Sequence, residues 1–439
     1  MSDTSTSGKN GVVITRKRGD AANYRTYEIY QRQRVGESTE KIRPTLLVSD
    51  DFRRDPYPAL ATLREHYPCY RNWMGNSYWI TRYDDVTSIL ADSANYETRS
   101  RAFLYGMNNT GVDLNGTSAF LAASERLTDH WAPDTAARVI KLFANDSEAD
   151  LATRFAARFA SELLCDTWGV PAPQRAEFVR LTWAMQRGAS WHTGRQEAGR
   201  RAFDELVTML APVLDARRQE PADDLLTTVA QIDDRESTAL DVATTLLEAD
   251  LATLHGSLAN LWYLLLTHPA EFEKARSNPR MMKLAYLEGL RHSTPVISAV
   301  RYARHEVERF GQLLPEGAQL VCAAAAANRD PRVFDNPDTF IVDRPDLTQR
   351  EPRGQYRADG LASGIAPGLG LPSRQPAIPE DRARSRYALN RDTAVTASMT
   401  LLDMLDNVAI AADSSPAMVS LSVGEMHTCW RLPVTFSLR

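Results

Sequence analysis

The sequence predicts a mainly α-helical protein with a minor β part, on three observations. Apolar residues recur at three- and four-residue spacing over most of the stretch from about Thr135 to Leu266. Segments with strand-like alternation are short and few. Several of the periodic segments are closed by glycine or proline.

Residues 1–43 are polar, first Ser/Thr-rich and then Arg-rich, with TYEIYQRQRV as the one strand-like piece. They read as a loosely ordered arm, or as a segment that orders on a partner. Residues 44–439 read as one large domain. In DPYPALATLREHYP a proline at the first turn and another at the end frame a short helix. NSYWITRY alternates as a strand, and DDVTSILAD follows as a helix opened by acids. EADLATRFAARFASELLCDTWG is a helix ending in glycine. ALDVATTLLEADLATLHGSLANLWYLLLTHP reads as one very long helix, too apolar for a surface position, and its Trp262 and Tyr263 read as packing residues. PRMMKLAYLEGLRHSTP is a further helix stopped by proline, and ISAVRYAR and AQLVCAAAAA read as short strands. Residues 345–387 are a loop crowded with Gly, Pro and Arg. A last helix covers roughly Leu389 to Leu405, and strands close the chain around HTCWRLPVTFSL.

Composition narrows the function classes. A net charge of −5 without a long basic run argues against a nucleic-acid binder. No window approaches 18 uninterrupted apolar residues, so no membrane span is predicted. The start has no apolar signal segment, and a cytoplasmic location is expected. Cys69, Cys165, Cys322 and Cys429 lie far apart without zinc-site spacing. GLGLPS lacks the lysine and context of a phosphate loop, and the arginines of RARSR read as a solvated loop edge.

From about Asp55 to the C-terminus the chain resembles a bacterial cytochrome P-450. NSYWITRYDDVTSILAD resembles that family's first sheet and next helix, and the helix ending LLLTHPAEFEKARSNP its central helix and successor. YLEGLR supplies a Glu-x-x-Arg as Glu288 and Arg291, AAANRDPRVFDNPDTF resembles the meander, and RLPVTF the terminal strand. Glu288 and Arg291, three apart, face one side of a helix and pair there as a fold marker. The family adds a third residue from the meander, which falls on Thr339 where arginine is usual, with Arg344 as the substitute.

The resemblance implies a haem held by a cysteine thiolate, whose electron push favours O–O cleavage. The chain departs from that pattern. Counting forward from Ser363 and Gly364, the cysteine position falls on Gly370. Counting back from the last helix, it falls near Arg384. No cysteine lies between Cys322 and Cys429. Tyr387 is the remaining oxygen ligand to consider, and simple packing is the preferred reading for it. The family's His-x-x-x-Arg for the haem propionates becomes Phe120 and Ser124, leaving Arg301 as the one arginine in a propionate-binding place, which a surface ion pair explains equally well. The proton-relay stretch reads Ala249-Asp250-Leu251-Ala252-Thr253. Thr253 persists, but Ala252 takes the acid's place, and Asp250 points about 200° round the helix. Gly370, Arg384, Thr253 and Arg301 are therefore read as degenerate haem-site positions, and no cofactor is expected.

Cysteine-less members of the superfamily serve as auxiliary proteins of glycosyltransferases in macrolide and anthracycline pathways. The resemblance implies a non-catalytic helper that binds a glycosyltransferase as its partner. A haem-independent enzyme using Asp250 and His255 is the alternative, and an atypically ligated haem protein is another. The enlarged 362–387 loop is expected to fill the former haem cavity.

Overall fold

The computed structural model describes residues 42, 44–72, 75–107, 110–188, 193–232, 238–249, 252–347, 365, 384–420 and 426–439. Of the N-terminal arm, only Ile42 is among them, buried against a small apolar cluster.

The first helices are α1 (Asp50–Arg54) and α2 (Tyr57–His66). Strands β1 (Cys69–Asn72) and β2 (Ser77–Ile80) precede α3 (Tyr83–Ala91), and β3 (Tyr96–Glu97) precedes the single turn α4 (Arg101–Leu104). Next come α5 (Ser118–Lys141) and β4 (Glu148–Asp150). A π-helical turn, Leu151–Ala157, leads into α6 (Arg158–Trp168). The Asp150 carboxylate accepts from the backbone N–H groups of Ala152, at 3.0 Å, and Thr153, at 3.3 Å, which opens this helix. Gly169, at φ 70°, closes it in the left-handed conformation that a side chain would strain.

Helices α7 (Arg175–Gly188), α8 (Thr193–Gln219) and α9 (Leu225–Ile232) follow. The long apolar segment forms two helices, α10 (Thr238–Glu248) and α11 (Ala252–Thr267), and not the single helix its periodicity predicts. The tie described below ends α10. Then come α12 (Pro269–Ala275) and α13 (Pro279–His292). After β5 (Ala299–Ala303), β6 (Val307–Arg309), β7 (Gln312–Leu314) and β8 (Gln319–Cys322), the alanine run folds as a helical turn, α14 (Ala324–Ala327). The strand predicted across this run therefore stops at Cys322. Alanine is the best helix former, and an apolar run carries no period to oppose it. Helix α15 (Arg386–Met404) precedes β9 (Leu405–Ile410), β10 (Ala417–Ser420), β11 (His427–Arg431) and β12 (Pro433–Leu438).

The main sheet has the order β1-β2-β8-β5-β3, with β2 and β8 parallel and the other pairs antiparallel. A second sheet, β4-β12-β9, joins the chain's end to its middle. The largest core surrounds α11, where Trp262 lies edge-on to Phe155 and Phe272 at 6.4 and 5.9 Å. Among the described residues, no helix is long and apolar enough to cross a membrane.

Candidate functional site

The break between α10 and α11 is made by side chains from far away in sequence. Gln186 Nε2 donates to the carbonyls of Leu246, Leu247 and Ala249 at 2.5, 3.0 and 2.7 Å. Arg101 Nη1 reaches the carbonyls of Leu247 and Ala249 at 3.1 and 2.8 Å and also bonds Gln186 Oε1. These donors satisfy carbonyls that a continuing helix would supply with its own N–H groups, so the helix can end here. In return the Glu248 carboxylate accepts from the backbone N–H groups of Arg101 and Ala102, at 3.0 and 3.1 Å, capping α4. The following segment is fixed to α10 by Gly111 N–H on Thr244 Oγ1 at 2.9 Å and Val112 N–H on Asp241 Oδ1 at 2.6 Å. Leu114 N–H adds a bond to Thr245 Oγ1 at 3.0 Å.

Thr253 is buried, and its hydroxyl has no partner among the described residues. His255 is 2% exposed, edge-on to Trp183 and Trp430 with ring centroids 5.8 and 5.2 Å away. Its Nδ1 also lacks a described partner, and burial lowers its pKa to about 4. Asp250 lies outside the described residues, so its pairing with His255 does too.

At the start of α15, Ser385 caps the helix by accepting from Ala388 N–H at 3.1 Å. The residue before it is Arg384, and each of its side-chain nitrogens meets a different carboxylate. Nε lies 2.7 Å from Glu125, Nη1 2.7 Å from Asp392 and Nη2 2.5 Å from Asp129. The Arg384 backbone N–H adds a bond to Glu125 Oε2 at 2.9 Å. Burial works against the guanidinium's charge, but the hydrogen bonds to Asp129, Glu125 and Asp392 outweigh it and raise the pKa above the ordinary arginine value. Tyr387, one turn on, is buried in the core.

Phe120 and Ser124, on α5, line a cavity of about 120 Å³ together with Thr128, Trp183, Leu246 and Arg384. That is close to the roughly 150 Å³ of an engineered cavity that admits benzene. Arg301, on β5, donates to its neighbour's carbonyl, Val300 O, at 3.0 Å and makes no ion pair with a described residue. Burial lowers its pKa. Gly370 and the loop expected to fill the cavity lie outside the described residues, apart from Ile365 and the 384–387 end. Ile365 is gripped by Asn328, which accepts from its N–H at 2.6 Å and donates to its carbonyl at 2.9 Å.

Glu288 and Arg291 form a two-bond pair, Nε to Oε2 and Nη2 to Oε1, both 2.7 Å. The third side chain is Arg344, whose Nε lies 3.2 Å from Glu288 Oε1. Thr339 supplies only its carbonyl, 3.3 Å from both Arg291 Nη2 and Arg344 Nη2. The expectation that Thr339 takes this place is corrected: a threonine hydroxyl cannot supply the cation that a buried carboxylate needs.

All four cysteines are buried: Cys69 in β1, Cys165 in α6, Cys322 in β8 and Cys429 in β11. Burial pushes the thiols of Cys165, Cys322 and Cys429 up to about 12. Among the described residues, no group of three or more His, Cys, Asp or Glu could hold a metal ion.

Residues 273–358 match the family model Cytochrome P450. The fold agrees over nearly the whole chain. The crystal structure of CalO2 superposes with a TM-score of 0.69 over 90% of this chain and 98% of its own, at 23% identity. The fold is the cytochrome P450 fold. Membership of the cytochrome P450 superfamily is further supported by 6-deoxyerythronolide B hydroxylase of Saccharopolyspora erythraea. That protein is 28% identical over 68% of this chain and 82% of its own length. Protein AknT of Streptomyces galilaeus is 32% identical over 45% of this chain and 46% of its own. P450BioI, in complex with a ligated acyl carrier protein, superposes with a TM-score of 0.69 over 88% of this chain and all of its own, at 20% identity.

A haem of the kind this P450 fold implies needs an anionic sulfur at the entry to the last long helix. The described residues there present a guanidinium engaged by three carboxylates, a serine spent as a helix cap and a tyrosine, Tyr387, packed into the core. This donor set does not fit an iron.

Proposed function

We propose that this chain is a haem-free member of the P450 superfamily that works as a non-catalytic helper. Its partner is a glycosyltransferase of bacterial natural-product biosynthesis, of the deoxysugar macrolide or anthracycline type. The observation that carries the haem-free part is the cation at the ligand position. Arg384, clasped by Glu125, Asp129 and Asp392, has no lone pair to offer a ferric ion, and no cysteine lies between Cys322 and Cys429 to replace it. In this reading Gly370, Arg384, Thr253 and Arg301 mark a degenerate haem site, with the ligand lost at the first two and remnants kept at the last two, and residues 44–439 form one P450-like domain behind an N-terminal arm.

The natural-product setting is supported by relatives such as 6-deoxyerythronolide B hydroxylase and mycinamicin IV hydroxylase/epoxidase. Docking of a protein partner is supported by the P450BioI complex with an acyl carrier protein. A helper of this kind acts through linkage: binding only the transferase's competent state raises the population of that state. At a helper concentration 100 times Kd this is worth about 2.7 kcal/mol. The alternative enzyme is less well served by His255, since burial holds this imidazole neutral with a pKa of about 4, below the value near 7 that best suits proton transfer.

The test is co-expression with deoxysugar glycosyltransferases of macrolide and anthracycline pathways, followed by pull-down and a sugar-transfer assay. A complex and a rise in transfer activity are expected. A transferase equally soluble and active without this protein would refute the reading.

A further inference from the structure

We infer that the Arg384 cluster stands in for the prosthetic group as the tie between α5 and α15, so that the chain reaches its native packing without haem. This deepens the haem-free half of the proposed reading and does not depend on which partner is bound.

The argument begins with α5. Glu125 and Asp129 are four residues apart and share one face of that helix, where like charges weaken it unless a cation stands between them. Arg384 is that cation, and it comes from a different part of the chain. Its third nitrogen holds Asp392, two turns along α15, and Arg391 adds a second cation to Asp392 at 2.7 Å. A planar guanidinium is suited to this task, because its fork sends separate N–H donors toward separate acceptors. A lysine would offer a single point charge.

The cluster is partly shielded: Arg384 and Glu125 are 25% and 26% exposed at their side chains. Its bonds to Glu125 and Asp392 are therefore screened less than those of surface pairs, while Asp129, 55% exposed, holds the outer edge. Across the cavity, Arg101 and Gln186 hold the end of α10 in the same manner, with donors from outside the helix engaging its last carbonyls. The helices that face one another across the 120 Å³ cavity are thus tied to protein groups on both sides.

The experiment uses the full chain, wild type and variants, purified from cells fed a haem precursor and then titrated with haemin. The wild type is expected to carry no Soret band as purified, to leave the Soret band of one equivalent of added haemin at its free position, and to keep its melting temperature. R384A is expected to melt several degrees lower, with faster amide exchange confined to residues 118–131 and 386–393. R384K should fall between the two. E125Q, which keeps the arginine, serves if R384A is insoluble, and its melting temperature should also drop. A stoichiometric Soret band with a raised melting temperature in the wild type would overturn the inference. So would R384A, or E125Q in its place, melting like the wild type. Haemin binding with transferase activation intact would sink the tie but leave the helper reading standing.

Discussion

One carboxylate oxygen, Glu288 Oε1, is shared by two arginines, with Arg291 Nη2 at 2.7 Å and Arg344 Nε at 3.2 Å. All three side chains are at most 2% exposed. The backbone N–H of Ile341 is a third donor to the same oxygen, at 3.1 Å. Arg344 continues outward, holding Asp346 at 3.0 Å and the carbonyls of Asp335 and Asn336 at 2.9 and 3.1 Å. The segment after α14 is therefore wrapped around two buried cations, which accounts for its order without regular secondary structure.

Arg344→Met breaks this arrangement and leaves buried acceptors unanswered. A loss of about 3–5 kcal/mol is expected, while Thr339→Val, which keeps the carbonyl, should fall within about 0.5 kcal/mol of the wild type. Urea unfolding midpoints check both, and equal losses in the two variants would contradict the assignment.

Gln186→Leu removes the donor that meets Leu246, Leu247 and Ala249. The amides of Val112 and Leu114, bonded to Asp241 and Thr245, should then exchange with solvent about tenfold faster or more. Hydrogen–deuterium exchange reads this directly, and unchanged protection there would mean the tie does not hold the 101–116 segment.

Stability should fall as pH drops from 6.5 toward 4. Burial lowers His255 and His427 from 6.5 to about 4. In that window the unfolded chain takes up protons that the native one refuses, so acid favours unfolding. The buried His255 alone contributes about 2 kcal/mol of loss by pH 5. His255→Phe should flatten the dependence of the unfolding midpoint between pH 7.5 and pH 5, and a variant with the wild-type slope would refute this.

Asn260 satisfies all of its amide valences within the core. It donates to the carbonyls of Ser293 and His427 at 2.8 and 3.1 Å, and accepts from Thr428 Oγ1 and Cys429 N–H, both at 2.9 Å. Asn260→Leu strands these groups and should cost about 3 kcal/mol or more. Calorimetry provides the check, and a loss under about 1 kcal/mol would show that water replaces the amide.

The mainly helical class was legible in local patterns, apolar period and capping residues, whereas the fold itself was legible through the resemblance of segments such as YLEGLR and RLPVTF to the cytochrome P-450 family. Arg344 was visible only as a substitute, because the meander's spacing pointed to Thr339 and the decisive contact is set by the path of the chain in space. The break after α10 left no mark in the sequence, since Arg101 and Gln186 that make it lie about 146 and 60 residues away. Arg384 was found by counting back from the last helix, but its partners were not. Glu125 and Asp129 sit on a helix whose pairing with α15 no periodicity records.

The burial of every cysteine has a practical outcome. Burial holds the thiols of Cys165, Cys322 and Cys429 far above their ordinary range, so thiolate is scarce at pH 8, and Cys69 too is enclosed. An aromatic disulfide reagent added to the native protein should stay colourless until the chain opens. The rate of colour release then becomes a clock for spontaneous opening in plain buffer, needing neither denaturant nor label.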